Sequence, residues 1–208
     1  IMYGSFVSTS VAREKDNRTM EILITSTKPD ALIVGKVLAN GVAGLVQFAF
    51  IFSVALIGYF LNQASFPEIV NEMLFGSLTW DAILVFLMFT SLGYLLYLFV
   101  YASLGSLVSK LEDVSSSVSV VTMLFMVAYL MANLGLSMPN SLIIKIASYF
   151  PFTAILSMPI RYFLTQVSII ELLISLAIMA ITTWSLAIFS IRIYRFGSLS
   201  YGNKMSLI

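Results

Sequence analysis

The chain has 208 residues and a net charge of +1, and 60% of its residues are hydrophobic while only 10% are charged. A soluble domain carries about 25% charged residues, so this composition excludes one. The near-neutral balance excludes a general attraction to nucleic acid. The absence of cysteine and histidine excludes disulfides, haem attachment, zinc sites and catalysis by either residue.

Apolar runs, taken in chain order, predict an all-α, polytopic transmembrane helical bundle. Residues 1–12 have the character of the end of one span, and no charged region precedes them, so we expect a fragment of a longer protein. Later runs are long enough to cross a hydrocarbon core of about 30 Å as helices. Four complete spans are therefore predicted, at residues 31–61, 82–109, 114–136 and 169–193.

The apolar segment 142–168 is interrupted by two prolines, Lys145 and Arg161. A crossing here would divide the eleven basic residues six to five between the two sides of the membrane. Without a crossing, nine of the eleven lie on the inner side, and the positive-inside rule favours that arrangement. We therefore predict an outer re-entrant helical hairpin, with a hairpin that lies along the outer interface as the alternative, followed after the last span by a cytoplasmic tail, residues 194–208. The inner basic residues are then Arg13, Lys15, Arg18, Lys28, Lys36, Lys110, Arg192, Arg195 and Lys204.

Small residues recur at a spacing of four on two of the predicted spans. Such ridges allow helix backbones to approach closely within a membrane. We expect them to pack within the chain, with a seam between two copies as the alternative. The ridges are Gly35, Ala39 and Ala43, then Ala102 with Ser106, and Gly105 with Ser109.

Residues 13–30 form the predicted cytoplasmic loop, and they open with the most charged stretch of the sequence. Alternating opposite charges make a poor lipid-binding patch, because a patch that binds lipid headgroups is mainly basic. They suit a protein-docking surface, where opposite charges set the register of contact. A solvated loop that obeys the positive-inside rule is the alternative that these residues alone favour.

The run from Ala12 to Leu23, followed by Gly35-Lys36, resembles the loop after the second helix of ABC-2-type (type 2 ABC exporter) permeases. In that family the loop forms a short coupling helix that sits in a cleft of the ABC ATP-binding subunit. The runs 149–153 and 192–202 also resemble the family, and sodium-efflux-type permeases are closest in pattern. The coupling residues implied here are Arg13, Glu14, Lys15, Arg18, Thr19, Met20 and Glu21.

The resemblance implies a permease in the lipid bilayer of a bacterial or archaeal cell membrane, paired with a second permease as a homo- or heterodimer. ATP and magnesium would bind the partner subunit, and the chain itself would need no cofactor. In the resembled family the hairpin closes the outer side of the translocation path, and an interfacial aromatic belt is the alternative. The implied gate residues are Tyr149, Phe150, Pro151, Phe152 and Pro159.

Other functional classes fit the sequence less well. The run 197–204 superficially resembles a Walker A loop, but Asn203 stands where the lysine belongs, so we expect neither an ATPase nor another enzyme. A secondary transporter or channel without an ATPase partner remains the alternative, weakened because no carboxylate falls in the middle of a span. A membrane-embedded hydrolase is weaker still, since no Ser–Lys or paired-Asp arrangement is evident within a span.

Overall fold

The computed structural model describes residues 1–17, 19, 22, 27–67, 79–108 and 110–199. Helices account for nearly all of these residues. Within these residues there are no strands, and short 3-10 turns follow α2 and precede α4. The predicted all-α class is confirmed. The helices are α1 Met2–Asp16, α2 Pro29–Leu61, α3 Trp80–Leu107, α4 Val114–Ser137, α5 Leu142–Tyr149, α6 Pro151–Leu164 and α7 Ile169–Leu199.

Four of these helices are long and apolar enough to cross a membrane: α2, α3, α4 with the preceding 3-10 turn, and α7. Large apolar side chains are exposed along much of their length, as at Phe50 and Trp184. Exposed apolar surface of this extent marks a membrane-facing protein, because soluble monomers keep such patches small. The chain is thus a polytopic helical bundle of an integral membrane protein.

The helix boundaries follow from local sequence. α2 and α6 each begin with a proline, whose missing N–H costs nothing at the first helical position. Asp30 adds a negative charge to the first turn of α2, where the helix dipole favours it. At the start of α5, the Ser141 hydroxyl accepts a hydrogen bond from the Ile144 amide at 3.4 Å.

α3 is the central helix, and it packs against α1, α4, α6 and α7. Its fully buried residues include Phe89, Leu96 and Tyr101. Gly105 permits a close approach to the backbone of α1, since a Cβ at this position would lie 2.6 Å from the Ser8 carbonyl oxygen. This helix therefore forms the core around which the others are arranged.

The two ridges of small residues differ in their surroundings. Ala102 and Ser106 are buried beside Gly105, as expected, whereas Ser109 lies outside the described residues. The expectation of packing within the chain is wrong for the ridge of Gly35, Ala39 and Ala43, because all three are exposed. The reason is that α2 packs through its other face, on which Ile33, Val37 and Gly41 are buried.

α5 and α6 form a helical hairpin that is too short to span a membrane twice. With 8 and 14 residues, they extend about 12 and 21 Å at 1.5 Å per residue. Each is shorter than the hydrocarbon core of about 30 Å. That such a hairpin enters and leaves on one side of the membrane stays a prediction.

Candidate coupling site and re-entrant hairpin

The first charged residues of the predicted coupling segment lie on the last turn of α1, which continues to Asp16. Arg13 is exposed, while Glu14 forms an ion pair with Lys36 of α2. The Lys36 ammonium also donates a hydrogen bond to the Ser10 hydroxyl at 2.7 Å. These contacts join the helix before the predicted loop to the helix after it.

Lys15 is buried, and its ammonium donates a hydrogen bond to the Ser106 carbonyl at 3.1 Å. Ser106 lies in the last turn of α3, where carbonyl groups have no partner within the helix. Burial lowers the pKa of the Lys15 ammonium, because a less polar environment disfavours its charged form. Lys15 therefore fastens the end of α1 to the end of α3 and is withdrawn from the surface.

The rest of the predicted coupling residues are placed only in part. Thr19 is exposed, and its hydroxyl donates to the Glu14 carbonyl at 3.2 Å near the end of α1. Arg18, Met20 and Glu21 lie outside the described residues. A cleft of about 230 Å³ runs beside the charged end of α1 and is lined by Phe6, Thr9, Ser10, Arg13 and Glu14.

The tip of the re-entrant hairpin lies deep in the bundle. The Phe152 ring packs edge to face against Tyr97 of α3, with ring centroids 6.0 Å apart, and Tyr97 packs in the same way against Phe125 of α4. Phe125 lies at the middle of α4, and Tyr97 lies past the middle of α3. The hairpin therefore reaches the depth of the centres of the spanning helices.

Breaking a helix at this depth frees backbone carbonyls, which must find partners inside the protein. The freed carbonyls are those at the end of α5. On the other side of the break, in the first turn of α6, the Phe152 carbonyl accepts an additional hydrogen bond from the Tyr97 hydroxyl at 2.9 Å. The Thr153 hydroxyl donates to the Ala147 carbonyl at 2.6 Å, across the break between α5 and α6. The Ser175 hydroxyl of α7 donates to the Ser148 carbonyl at 2.6 Å. Side chains from α3, α6 and α7 thus stabilise the turn at the tip.

Four of the five predicted gate residues lie at this tip. Phe150 is exposed, Tyr149, Pro151 and Phe152 are half-buried, and Pro159 is buried further along α6. Phe152 contacts Tyr97 past the middle of α3, which is deeper than an interfacial aromatic belt would lie. Their role as a gate stays a prediction.

Residues near the end of α6 are better candidates for the membrane–water interface. The Tyr162 hydroxyl donates to the Asp81 carboxylate at 2.6 Å, in the first turn of α3. This hydrogen bond raises the pKa of Tyr162, because the phenolate could not donate it. A cleft of about 410 Å³ opens beside the pair and includes Thr79, Thr165 and Gln166 in its lining.

Sequence reasoning missed the polar contacts that hold the hairpin. It treated Arg161 only as an interruption of an apolar segment, yet Arg161 and Glu171 form an ion pair at 2.5 Å. The signal that could have paired them is position, because both lie within about one helical turn of the connection between α6 and α7. Two antiparallel helices joined by a short turn bring such residues together.

Metal chemistry finds no support in the part of the chain that the structure describes, since it contains no group of three potential metal-ligating residues among His, Cys, Asp and Glu. The arrangement instead offers two mechanical features. One is a charged helix end fastened to its neighbours, and the other is a re-entrant hairpin held by buried polar contacts. Together with the apolar spans, these features describe a membrane-embedded helical bundle.

A family model described as ABC-2 family transporter protein matches residues 1–192, so the chain belongs to the ABC-2 family of transporter proteins. It is 32% identical over 206 residues to the uncharacterised protein YhaP of Bacillus subtilis (strain 168), covering 98% of this chain and 49% of that protein. It is 31% identical over 204 residues to the uncharacterised protein MJ1024 of Methanocaldococcus jannaschii, covering 98% and 48% respectively. The chain thus spans about half the length of these curated relatives. No solved structure matches it.

Proposed function

We propose that the chain forms the membrane-spanning permease part of an ATP-driven exporter. A separate ABC ATP-binding subunit, which binds ATP and magnesium, would supply the energy. A second permease would complete the transport path. Membership of the ABC-2 family supports this assignment, and the relatives' source organisms are consistent with a bacterial or archaeal cell membrane.

The observation that carries the proposal is how the charged end of α1 is attached to the bundle. Lys15 joins it to α3, and Glu14 joins it to α2. Arg13, on the same turn, is exposed and free to meet a partner subunit through its charge. A push on this end would therefore reach two spanning helices at once, as coupling to a nucleotide-driven movement requires.

The test compares charge reversals in the native protein, reconstituted in lipid nanodiscs with a candidate ATP-binding subunit. Arg13→Glu, Arg18→Glu and Glu21→Lys should each reduce the permease-stimulated ATPase rate while the permease keeps its thermal stability. Lys145→Glu is the matched control, because Lys145 is an exposed cation on the hairpin. Undiminished stimulation in all three variants would remove the role assigned to this segment.

Glu14 needs a different design, because its reversal also breaks the ion pair with Lys36. Glu14→Lys should lower both stability and stimulation. If only the ion pair matters, the double variant Glu14→Lys with Lys36→Glu should restore both. If Glu14 also contacts the partner subunit, the double variant should recover its stability but not its stimulation of the ATPase. A wild-type permease that binds no ATP-binding subunit and transports without one would instead favour a secondary transporter or channel.

A further inference from the structure

Three polar contacts link α5, α6 and α7 in pairs. The Arg161 guanidinium of α6 donates to the Ser148 hydroxyl of α5 at 3.1 Å. It also donates to the Glu171 carboxylate of α7 at 2.5 Å. The Ser175 hydroxyl of α7 donates to the Ser148 carbonyl of α5 at 2.6 Å. Every pair among the three helices is therefore joined, and Arg161 takes part in two of the three contacts.

These groups are buried inside the bundle. Arg161 is 4% exposed, and Ser148 and Ser175 are 0% exposed. A buried charge is tolerated only while it is paired and hydrogen-bonded. Moving the hairpin away from α7 would separate the guanidinium from its carboxylate and leave the Ser148 carbonyl without its donor from α7. The Glu171 side chain is 39% exposed, so the cost lies on the side of Arg161, whose buried guanidinium would be left without its partner.

The hairpin's contacts with other helices are of a different kind. Its hydrogen bonds to α3 are those of the Tyr97 hydroxyl to the Phe152 carbonyl and of the Tyr162 hydroxyl to the Asp81 carboxylate, which is exposed. Against α4 it packs through apolar contacts such as those of Ile144 and Ile160 beside Gly135. The hairpin packs most extensively against α3 and α4. Among the described residues, its attachment through a buried charged side chain is the one to α7. The strongest polar attachment of the hairpin is therefore to the last span.

We propose that Arg161 is a positioning residue that fastens the re-entrant hairpin to the last span, so that the two move as one body during transport. The proposal rests on the proposed exporter function for the movement itself, and on the structure for the attachment. It assigns the outward opening to the hairpin and α7 together. The proposal excludes a hairpin that moves independently of α7.

The attachment can be tested without any partner subunit. Spin labels on cysteines at Ile143 of α5 and Leu173 of α7, which are 61% and 55% exposed, report the distance between hairpin and last span in the native protein in nanodiscs. Arg161→Gln should change one narrow distance distribution into a broad one. Lys145→Gln removes the same charge from an exposed position and should leave the distribution narrow.

A milder variant guards against a misfolded protein. Glu171→Gln keeps an acceptor oxygen but removes the carboxylate charge, and Glu171 is partly exposed, so the helix should still form. It should broaden the distribution less than Arg161→Gln does. A distribution in Arg161→Gln and Glu171→Gln as narrow as in the wild type would overturn the proposal.

The movement is tested by adding the ATP-binding subunit and ATP. The distance between labels at Ile143 and Leu173 within one protomer should stay constant, while the distance between Ile143 labels of two protomers changes. A change within the protomer would overturn the inference and leave the exporter function standing. An absence of any response to ATP would count against the exporter function, and the Arg161→Gln comparison would still decide the attachment.

Discussion

Neighbouring charged residues at the end of α1 have different surroundings, and this decides what each substitution can reveal. Arg13 is exposed, Glu14 is paired with Lys36, and Lys15 is buried against the last turn of α3. Removing Lys15 would leave the Ser106 carbonyl without its donor, a loss of about 1–3 kcal/mol for a buried group. A coupling defect in a Lys15 variant would therefore report on folding, whereas one in an Arg13 variant would report on docking.

Glycine substitutions test the packing of α1 on α3. Gly105→Ala should lower the unfolding free energy by about 1–3 kcal/mol, because the new methyl group meets the backbone of Ser8, which cannot move aside cheaply. Gly35→Ala is the matched control, since a Cβ there meets nothing within 4 Å. It should be neutral or stabilise α2 by up to about 1 kcal/mol through helix propensity.

The measurement is thermal or denaturant unfolding of the purified protein in detergent, with both variants compared to the wild type. Equal stabilities for Gly105→Ala and Gly35→Ala would contradict the close approach of α1 and α3. If Gly35→Ala were destabilised instead, this would indicate that the exposed ridge of α2 packs against another surface.

At the scale of helices, apolar run length and proline positions predicted the all-α class from the sequence. The packing partners were not predictable, because spans this uniformly apolar have no strong periodicity to mark a buried face. For the hairpin, too, the helices were predictable from the sequence and their packing partners were not. Its prolines and charges indicated that residues 142–168 do not form an ordinary span, but the hydroxyl of Tyr97 at its tip comes from a distant part of the sequence.

The predicted coupling residues show a second limit. The family resemblance implied the same role for Arg13, Glu14 and Lys15, since residue type alone cannot distinguish an exposed cation from a buried one. Only the packing of α1 against α2 and α3 separates them. The exposed Gly35 ridge is the converse case, where a pattern typical of packing found no partner within the described chain.

The hairpin tip is tested by removing one hydroxyl. Tyr97→Phe keeps the ring contacts with Phe125 and Phe152 but loses the hydrogen bond to the Phe152 carbonyl. We expect a loss of about 0.5–1.5 kcal/mol in unfolding free energy, typical of one interhelical hydrogen bond in a membrane protein. Hydrogen exchange should increase in α5 and the first turn of α6 before it increases elsewhere.

Tyr129→Phe is the control for this variant, because Tyr129 is 53% exposed on α4. It should leave both the stability and the exchange pattern of the hairpin unchanged. Unaltered exchange at the hairpin in Tyr97→Phe would show that the tip does not depend on this bond.

At the scale of the whole molecule, the hairpin determines the topology of everything after it. Because α5 and α6 are each too short to cross, we predict that the end of α4 and the start of α7 lie on the same side of the membrane. By the positive-inside rule we predict that this side is the outer one, with Arg192 and Arg195 on the inner side together with the charged loop. The ion pair of Asp30 with Arg195 agrees with this, since it joins the start of α2 to the end of α7.

Single cysteines in this cysteine-free chain make the topology directly measurable. Met138 and Gln166 flank the hairpin and are exposed, so Met138→Cys and Gln166→Cys should both react with a membrane-impermeant maleimide added outside intact cells. Lys28→Cys and Lys110→Cys are exposed at the opposite ends of spans and should react only after the membrane is permeabilised. Labelling of Met138→Cys and Gln166→Cys from opposite sides would show that the segment crosses the membrane, and the six-to-five division of basic residues would then hold.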